Sequence, residues 1–379
     1  MVSPDYRIRV RESRSQADIE NLDLRAPVGD LVAALIDIPS ESHQEAALAD
    51  SVEAALSTCD HLTVTRMGNN VIATAHSGRP ERVIIAGHLD TVPANNNLPH
   101  TRTQDAQGHE VIAGLGACDM KGGLAAGLHV AAHVDQPNRD VTYLFYAAEE
   151  VAAEFNGLRI IGETAPEFLE ADFAILMEPS NAQIEAGCQG TLRAEITTVG
   201  DRAHSARSWM GKNAIHQMRE ILQILEDYQP SQPVINGLTY REGLNAVHIA
   251  GGVAGNVIPD SCVITVNYRF APDKSEQEAV AHLKELFGQW DIRVTDSAPG
   301  ALPGLDQPAA QEFVRVTGAQ VAPKFGWTDV ARFAAMKTPA VNYGPGDPSM
   351  AHTRGECVQV QEVERVAHTL VQWLTTAQS

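Results

Sequence analysis

Apolar residues recur along this chain in two rhythms. In "EAALADSVEAAL" Leu48, Val52 and Leu56 repeat every fourth position, which predicts one apolar stripe on a helix. The runs "VIIAGHLDTV", "VTYLFYAAEE" and "FAILMEP" are short and largely apolar and read as strands. Helical stretches separate them, among them "KGGLAAGLHVAAHV" and the segment after Asn156. Strands alternating with helices predict a largely parallel α/β sheet. One run ends oddly, in the adjacent pair Glu149 and Glu150. Neighbouring side chains on a strand point to opposite faces, so two acids inside a buried strand would need two separate justifications. The pair therefore belongs at the strand's end.

The texture changes near Leu192. "LRAEITTVG" alternates Leu192, Ala194, Ile196 and Thr198 on one face, as an antiparallel strand with one wet side does. A helix follows in "NAIHQMREILQILEDY", with Ile215, Met218, Leu222 and Leu225 assigned to its apolar face. Strands are expected around "NAVHIAGG" and "CVITVNYRF", then a helix near "SEQEAVAHLKELF". The Pro/Gly-rich stretch "DSAPGALPGLDQP" leads back to α/β texture in "PAVNYGPG" and a last helix, "QEVERVAHTLVQWL". The expected organisation is one α/β domain in two parts, residues 1–190 and 299–379, interrupted by a smaller α+β insertion over 191–298.

Charge narrows the function. The 28 Lys plus Arg stand against 48 Asp plus Glu, a formal net charge of -20, which repels nucleic acid and anionic membranes at long range. Neither is an expected partner. A bound divalent cation would invert that field locally. No run of about 18 apolar residues occurs, and the first residues lack a signal-peptide core. Five scattered cysteines without C-x-x-C spacing make a disulfide framework improbable and favour a reducing cytoplasm.

Four segments carry acids or histidines where expected strands give way to loops: "AGHLDTVP" (His88, Asp90), "GLGACDMKGG" (Asp119), "YAAEEV" (Glu149, Glu150) and "LMEPSN" (Glu178). A fifth, "PSMAHTRGE", contributes His352 from a late loop. In open α/β sheets the carboxyl ends of strands are where ligands bind, so residues far apart in sequence converge there. Imidazole and carboxylate donors without thiolate suit zinc or a similar divalent ion. His88 and Asp90, two apart, share a strand face, which lets the acid accept the other ring N–H of a metal-bound histidine. An odd carboxylate such as Asp119 could bridge two ions, the arrangement that splits bonds with a shared water. Spacing alone leaves open which of Glu149 and Glu150 is ligand and which is base.

Other chemistries have little support. His129 and His133 are four apart on a helix, but "HVAAH" lacks the glutamate of H-E-x-x-H. Neither G-x-S-x-G nor GxxxxGK[ST] occurs, and Cys118 reads as a small buried hydrophobe.

The five segments together resemble the co-catalytic zinc aminoacylases and exopeptidases, a family that includes desuccinylases of succinyl-diaminopimelate, acetylornithine deacetylases and glutamate carboxypeptidases. The pattern H-x-D, bridging Asp, Glu-Glu, Asp/Glu and late His covers nearly the whole chain, and "GDRAHSARSWMGKNAIH" is similar to the actinobacterial desuccinylase type. The resemblance implies two Zn2+ per subunit, with Co2+ able to substitute. His88 and Glu178 would hold one ion, Glu150 and His352 the other, with Asp119 between them. Asp90 would orient His88, and Glu149 would be the general base. It implies a dizinc exopeptidase-like catalytic domain, a cis bond after Asp119, and a ferredoxin-like inserted lid that forms a homodimer. His204 of "RAHSA" would then stabilise the oxyanion in the partner's site.

The implied substrate is a small N-acyl amino acid, N-succinyl-LL-2,6-diaminopimelate, hydrolysed to succinate and LL-2,6-diaminopimelate. Acetylornithine deacetylation, another deacylase or metallocarboxypeptidase activity, and a non-catalytic binding relative are the alternatives. The substrate's three carboxylates require cations, and Arg207, Arg269 and Arg332 lie in family-like segments. Asn256, Thr328 and the "GPG" beginning at Gly344 stand where relatives contact substrate. One departure is "CQGTLR", with Gln189, Gly190 and Thr191 where proteobacterial desuccinylases have an Arg-Arg-Gly-Ser-like run.

Overall fold

The computed structural model describes residues 22–376. The described chain divides into two compact units: residues 187–303 with 323–331 form one, and the other described residues form the second.

The larger unit is built on an eight-stranded sheet. Its strands run in the order Thr63–Met67, Asn70–Ala75, Asp140–Tyr146, Arg82–His88, Phe173–Leu176, Ala340–Asn342, Ile184–Ala186 and Val321–Pro323. The four middle strands from Asp140–Tyr146 to Ala340–Asn342 pair in parallel. Antiparallel pairs flank them. Every residue of Asp140–Tyr146 is buried, which is why that stretch reads as a continuous apolar run rather than an alternating one. Helix Gly122–His133 packs closely on this sheet. A Cβ at Gly123 would come within 2.1 Å of the Met177 carbonyl oxygen, so only glycine allows that approach. The stripe Leu48, Val52 and Leu56 is buried as its four-residue spacing predicts.

The parallel strands end side by side. His88 pairs with Tyr146, the Leu89 N–H donates to the Tyr146 carbonyl at 2.7 Å, and the Tyr343 N–H donates to Leu176 at 2.8 Å. The strand that leads to the paired glutamates stops at Tyr146, earlier than the apolar run suggests. Ala148 then adopts a left-handed conformation (φ 59°), which carries the chain off the pleat before Glu149 and Glu150. The alternation rule no longer applies to them.

The smaller unit holds a four-stranded antiparallel sheet ordered Gly243–Gly251, Ser261–Phe270, Gly190–Val199 and Asp291–Ala298. Helices Ala214–Asp227 and Glu276–Phe287 cover one face. Leu192, Ala194 and Ile196 alternate into that core. The helix after it differs in its apolar stripe. Ala214, Met218 and Ile221 are buried, whereas Ile215 and Leu222 are 41% and 45% exposed. A 3.6-residue period starting at Ala214 turns Ile215 and Leu222 to the flank.

Candidate active site

The acids and histidines of the larger unit converge at the carboxyl ends of its parallel strands. His88 is the last residue of Arg82–His88 and is 1% exposed. Its Nε2 lies 3.1 Å from Asp119 Oδ1, and its Nδ1 lies 2.9 Å from the Asp90 backbone oxygen. The Asp90 carboxylate stands farther from Nδ1, at 3.6 Å. That carboxylate is occupied elsewhere: it accepts the backbone N–H groups of Glu149 and Glu150 at 2.9 and 3.0 Å and the Ser42 hydroxyl at 2.8 Å. Asp90 thus fixes the turn carrying the glutamate pair as well as lying beside the His88 ring, a role that two-residue spacing could not reveal.

Asp119 lies on a distorted helical turn over Ala117–Lys121, and the bond joining it to Met120 is cis. The carboxylate of Glu356, only 1% exposed, shapes this loop. It accepts the backbone N–H groups of Gly116 at 3.0 Å, Cys118 at 3.1 Å and Asp119 at 2.9 Å. Glu356 and Ser42 were not anticipated from sequence. The only signal for Glu356 was its place four residues after His352, and Ser42 gave none.

His352, in the left-handed region at φ 62°, brings Nε2 to 2.8 Å from Glu150 Oε1 and 3.4 Å from Asp119 Oδ2. Three sets of donor atoms lie within 4.8 Å of one another: His88, Asp119 and Glu178; Asp119, Glu150 and His352; and His88, Glu149 and Glu150. The first two share Asp119.

The electrostatics of this cluster favour cations. Hydrogen bonds to Asp119 and then Glu150 push the His352 ring up to about 10. Burial disfavours a charged His88, yet Asp119 and Asp90 raise it well above its ordinary range. Burial likewise works against an ionised Asp119, but both histidines hold it ionised far below the usual carboxylate range. Burial pushes the Cys118 thiol strongly up, so it stays protonated and is no soft ligand or nucleophile. A donor set of carboxylates and imidazoles that gathers protons fits hard or borderline divalent ions. His129 and His133 lie apart from these sets, stacked with ring centroids 3.9 Å apart.

The smaller unit carries a second group. Ala203–His204 pairs antiparallel with Val257–Ile258, and the Ser205 N–H donates to the Asn256 backbone oxygen at 2.9 Å, bringing His204 and Asn256 together. His204 Nδ1 accepts the Ala206 N–H at 3.1 Å, which leaves Nε2 to carry the proton of the neutral ring. Arg207 is exposed on the short helical turn Ser205–Met210. Arg269 is half-buried near the end of Ser261–Phe270, and Thr328 is 6% exposed with an unpartnered Oγ1. Arg332, in helix Val330–Ala335, and Gly344 lie in the larger unit. A Cβ at Gly344 would meet the Met177 and Glu178 carbonyls at 2.3 and 2.6 Å, so this glycine has a packing reason of its own.

The profile of Peptidase family M20/M25/M40 matches residues 84–376, a span running from the His88 strand past His352. The chain belongs to this family. It is 51% identical over 356 residues to the putative succinyl-diaminopimelate desuccinylase of Mycobacterium tuberculosis, covering 93% of this chain and 99% of the relative. It is 46% identical over 365 residues to the succinyl-diaminopimelate desuccinylase of Corynebacterium glutamicum, covering 93% and 98%. Among solved structures, a Staphylococcus aureus tripeptidase superposes with a TM-score of 0.72 at 20% identity, covering 94% of this chain and 98% of that one. A dinuclear metal binding peptidase from Bacillus subtilis gives 0.67 at 17% identity, covering 93% and 97%. These two establish the shared fold, a mixed α/β peptidase architecture. As a family member the chain is a metal-dependent hydrolase of amide bonds.

Proposed function

We propose that this chain hydrolyses N-succinyl-LL-2,6-diaminopimelate to succinate and LL-2,6-diaminopimelate, supplying the diamino diacid for lysine and cell-wall precursor synthesis. The observation that carries the reading is 51% identity across 93% of the chain to a protein of that name. The metal-ready donor sets sharing Asp119 supply the chemistry that amide hydrolysis needs.

In this reading His88 and Glu178 would hold one zinc and Glu150 and His352 the other, with Asp119 common to both donor sets and cobalt able to substitute. Two ions bound there would supply Lewis acidity, lowering the pKa of the attacking water and polarising the amide carbonyl. Glu149 takes one proton from the attacking water and delivers it to the amine nitrogen as the C–N bond breaks, returning to its carboxylate form, and the water's second proton passes from the new carboxyl group to the released amine. Asp90 keeps Glu149 in place by accepting its backbone N–H. His204, with Nε2 as donor, would act in the site of the partner chain, giving a hydrogen bond to the carbonyl oxygen as it gains charge. Arg207, Asn256, Arg269, Thr328 and Gly344 are assigned to substrate contact.

We infer that the smaller unit is a lid through which two chains associate. Its edge strand Gly243–Gly251 supports this, with Val247 57% and Ile249 48% exposed on a strand that, among the described residues, has a partner on one side only. Such an edge recruits another strand. Five cysteines without disulfides suit a reducing cytoplasm, and no described helix is long and apolar enough to cross a membrane.

Comparing kcat/KM for N-succinyl-diaminopimelate and N-acetylornithine tests the assignment, because the metal site serves both and the acyl pocket does not. A large preference for the succinyl substrate is expected. Comparable rates would defeat the desuccinylase reading while leaving the amidohydrolase intact.

A further inference from the structure

In the smaller unit, strand Gly190–Val199 lies between Ser261–Phe270 and Asp291–Ala298. The register sets Thr191 opposite Arg269 and Arg193 opposite Asn267. These four side chains share one face of the sheet. Leu192, Ala194 and Ile196, of the other parity, enter the core beneath the helices, so the face with the two arginines is the one the helices leave uncovered. Arg193 and Arg269 are diagonal neighbours, about 7–8 Å apart at the backbone and within joint reach of one small anion.

Asn267 ties the cluster together. Its Oδ1 accepts from Arg269 Nε at 3.1 Å, and its Nδ2 donates to Thr191 Oγ1 at 3.3 Å. The charges are only partly balanced within the protein, by Asp296, which acts on Arg269 against the effect of Arg193. Burial first, and then the nearby Arg193, lower the Arg269 pKa, while Asp296 raises it, so the two guanidiniums lie close enough to act on each other. Asp296 stands opposite Arg193 in the register, yet neither arginine forms an ion pair among the described residues. Gln189, of the same parity and 1% exposed, has an Oε1 with no partner. In a chain of net charge -20, two adjacent guanidiniums that no carboxylate engages in an ion pair among the described residues suit an outside anion.

We propose that Arg193 joins Arg269 in a paired carboxylate-binding subsite for the substrate, with Asn267 and Thr191 holding the Arg269 side of the pair in place. This deepens the amide-hydrolase reading and rests on it. A planar guanidinium fork pairs bidentately with a carboxylate, and two forks on one face discriminate a multiply charged substrate from a neutral one. Arg193 is thus a specificity residue outside the metal chemistry. The carboxylate belongs either to the acyl tail or to the amine-side diacid, and the experiment separates the two.

Arg193→Leu and Arg193→Lys in the full-length, metal-loaded protein are compared with the parent on N-succinyl-diaminopimelate and on N-acetyl-diaminopimelate. Calorimetric binding of succinate and of LL-diaminopimelate is measured in parallel. Arg193→Leu is expected to lower kcat/KM about tenfold or more through KM, with kcat changed little, and Arg193→Lys to recover part of the loss. A loss confined to the succinyl substrate and to succinate binding assigns the acyl carboxylate. An equal loss on both substrates, matched by weaker diaminopimelate binding, assigns the amine side. Unchanged KM with unchanged binding of both products overturns the subsite, as does a fall in kcat alone. If the parent turns over neither substrate, the desuccinylase assignment fails. The subsite is then decided by whether Arg193→Leu weakens binding of the two dicarboxylates: weakening supports it and equal binding overturns it.

Discussion

Glu356 Oε1 lies 2.9 Å from the backbone nitrogen of Asp119, and the same buried carboxylate also receives the N–H groups of Gly116 and Cys118. The shared acid of the proposed metal centre is therefore held from behind by a residue 237 positions away in sequence. Glu356→Ala would leave three amides without an acceptor, at a cost of about 1–3 kcal/mol each where water does not enter. The expected result is a lower Tm and weaker metal binding, measured by thermal unfolding and by zinc titration of the metal-free protein. Glu356→Gln, which keeps the shape and one acceptor, should fall between the two. A Glu356→Ala protein with parental metal affinity would show that the Asp119 loop needs no such support.

Glu149→Gln removes the proposed base and keeps the side chain's size and the backbone N–H bond to Asp90. The expected outcome is a drop in kcat of about 100-fold or more with metal content unchanged, checked by steady-state kinetics beside metal analysis. Undiminished kcat would reassign the base.

Stripping the protein with a chelator should abolish hydrolysis and lower Tm, and zinc or cobalt should restore both. Ligand linkage makes the shift depend on free metal, about 2.7 kcal/mol at one hundred times Kd. Metal analysis of the loaded protein should return about two ions per chain if Asp119 serves both donor sets. An active protein without metal would overturn the mechanism.

The metal-free protein should also respond to pH in a defined direction. Asp119 and Glu150 raise His352 in the folded state to about 10 from the ordinary 6.5. A raised pKa means the folded state binds the proton more tightly, so this stabilisation is complete below 6.5 and is lost as pH climbs through 10. Denaturant unfolding of the metal-free protein should show falling stability across that window. His352→Gln should weaken the dependence, leaving the part that the likewise raised His88 contributes, and a parent protein already flat would refute the coupling.

Much of this was readable from order and spacing. The α/β texture, the antiparallel insertion and the separation of His88, Asp119, Glu150, Glu178 and His352 onto strand ends and loops follow from local periodicity and from residue chemistry, both written along one dimension. The flank position of Ile215 and Leu222 was missed because both are apolar and near the stripe, and only contact with the sheet decides which apolar residues are covered.

What the linear chain determined by itself was which chemistry is available: imidazoles and carboxylates in family order, no C-x-x-C pair, and a pair of adjacent glutamates. What tertiary structure decided was how those groups are held. Asp90 engages the backbone of the Glu-Glu turn, Glu356 clamps the Asp119 loop, and Arg193 stands beside Arg269. The physical reason is the same in each case. A hydrogen bond or a charge repulsion acts across a few ångströms of space, and strand register and chain reversal, rather than sequence separation, set which groups come that close.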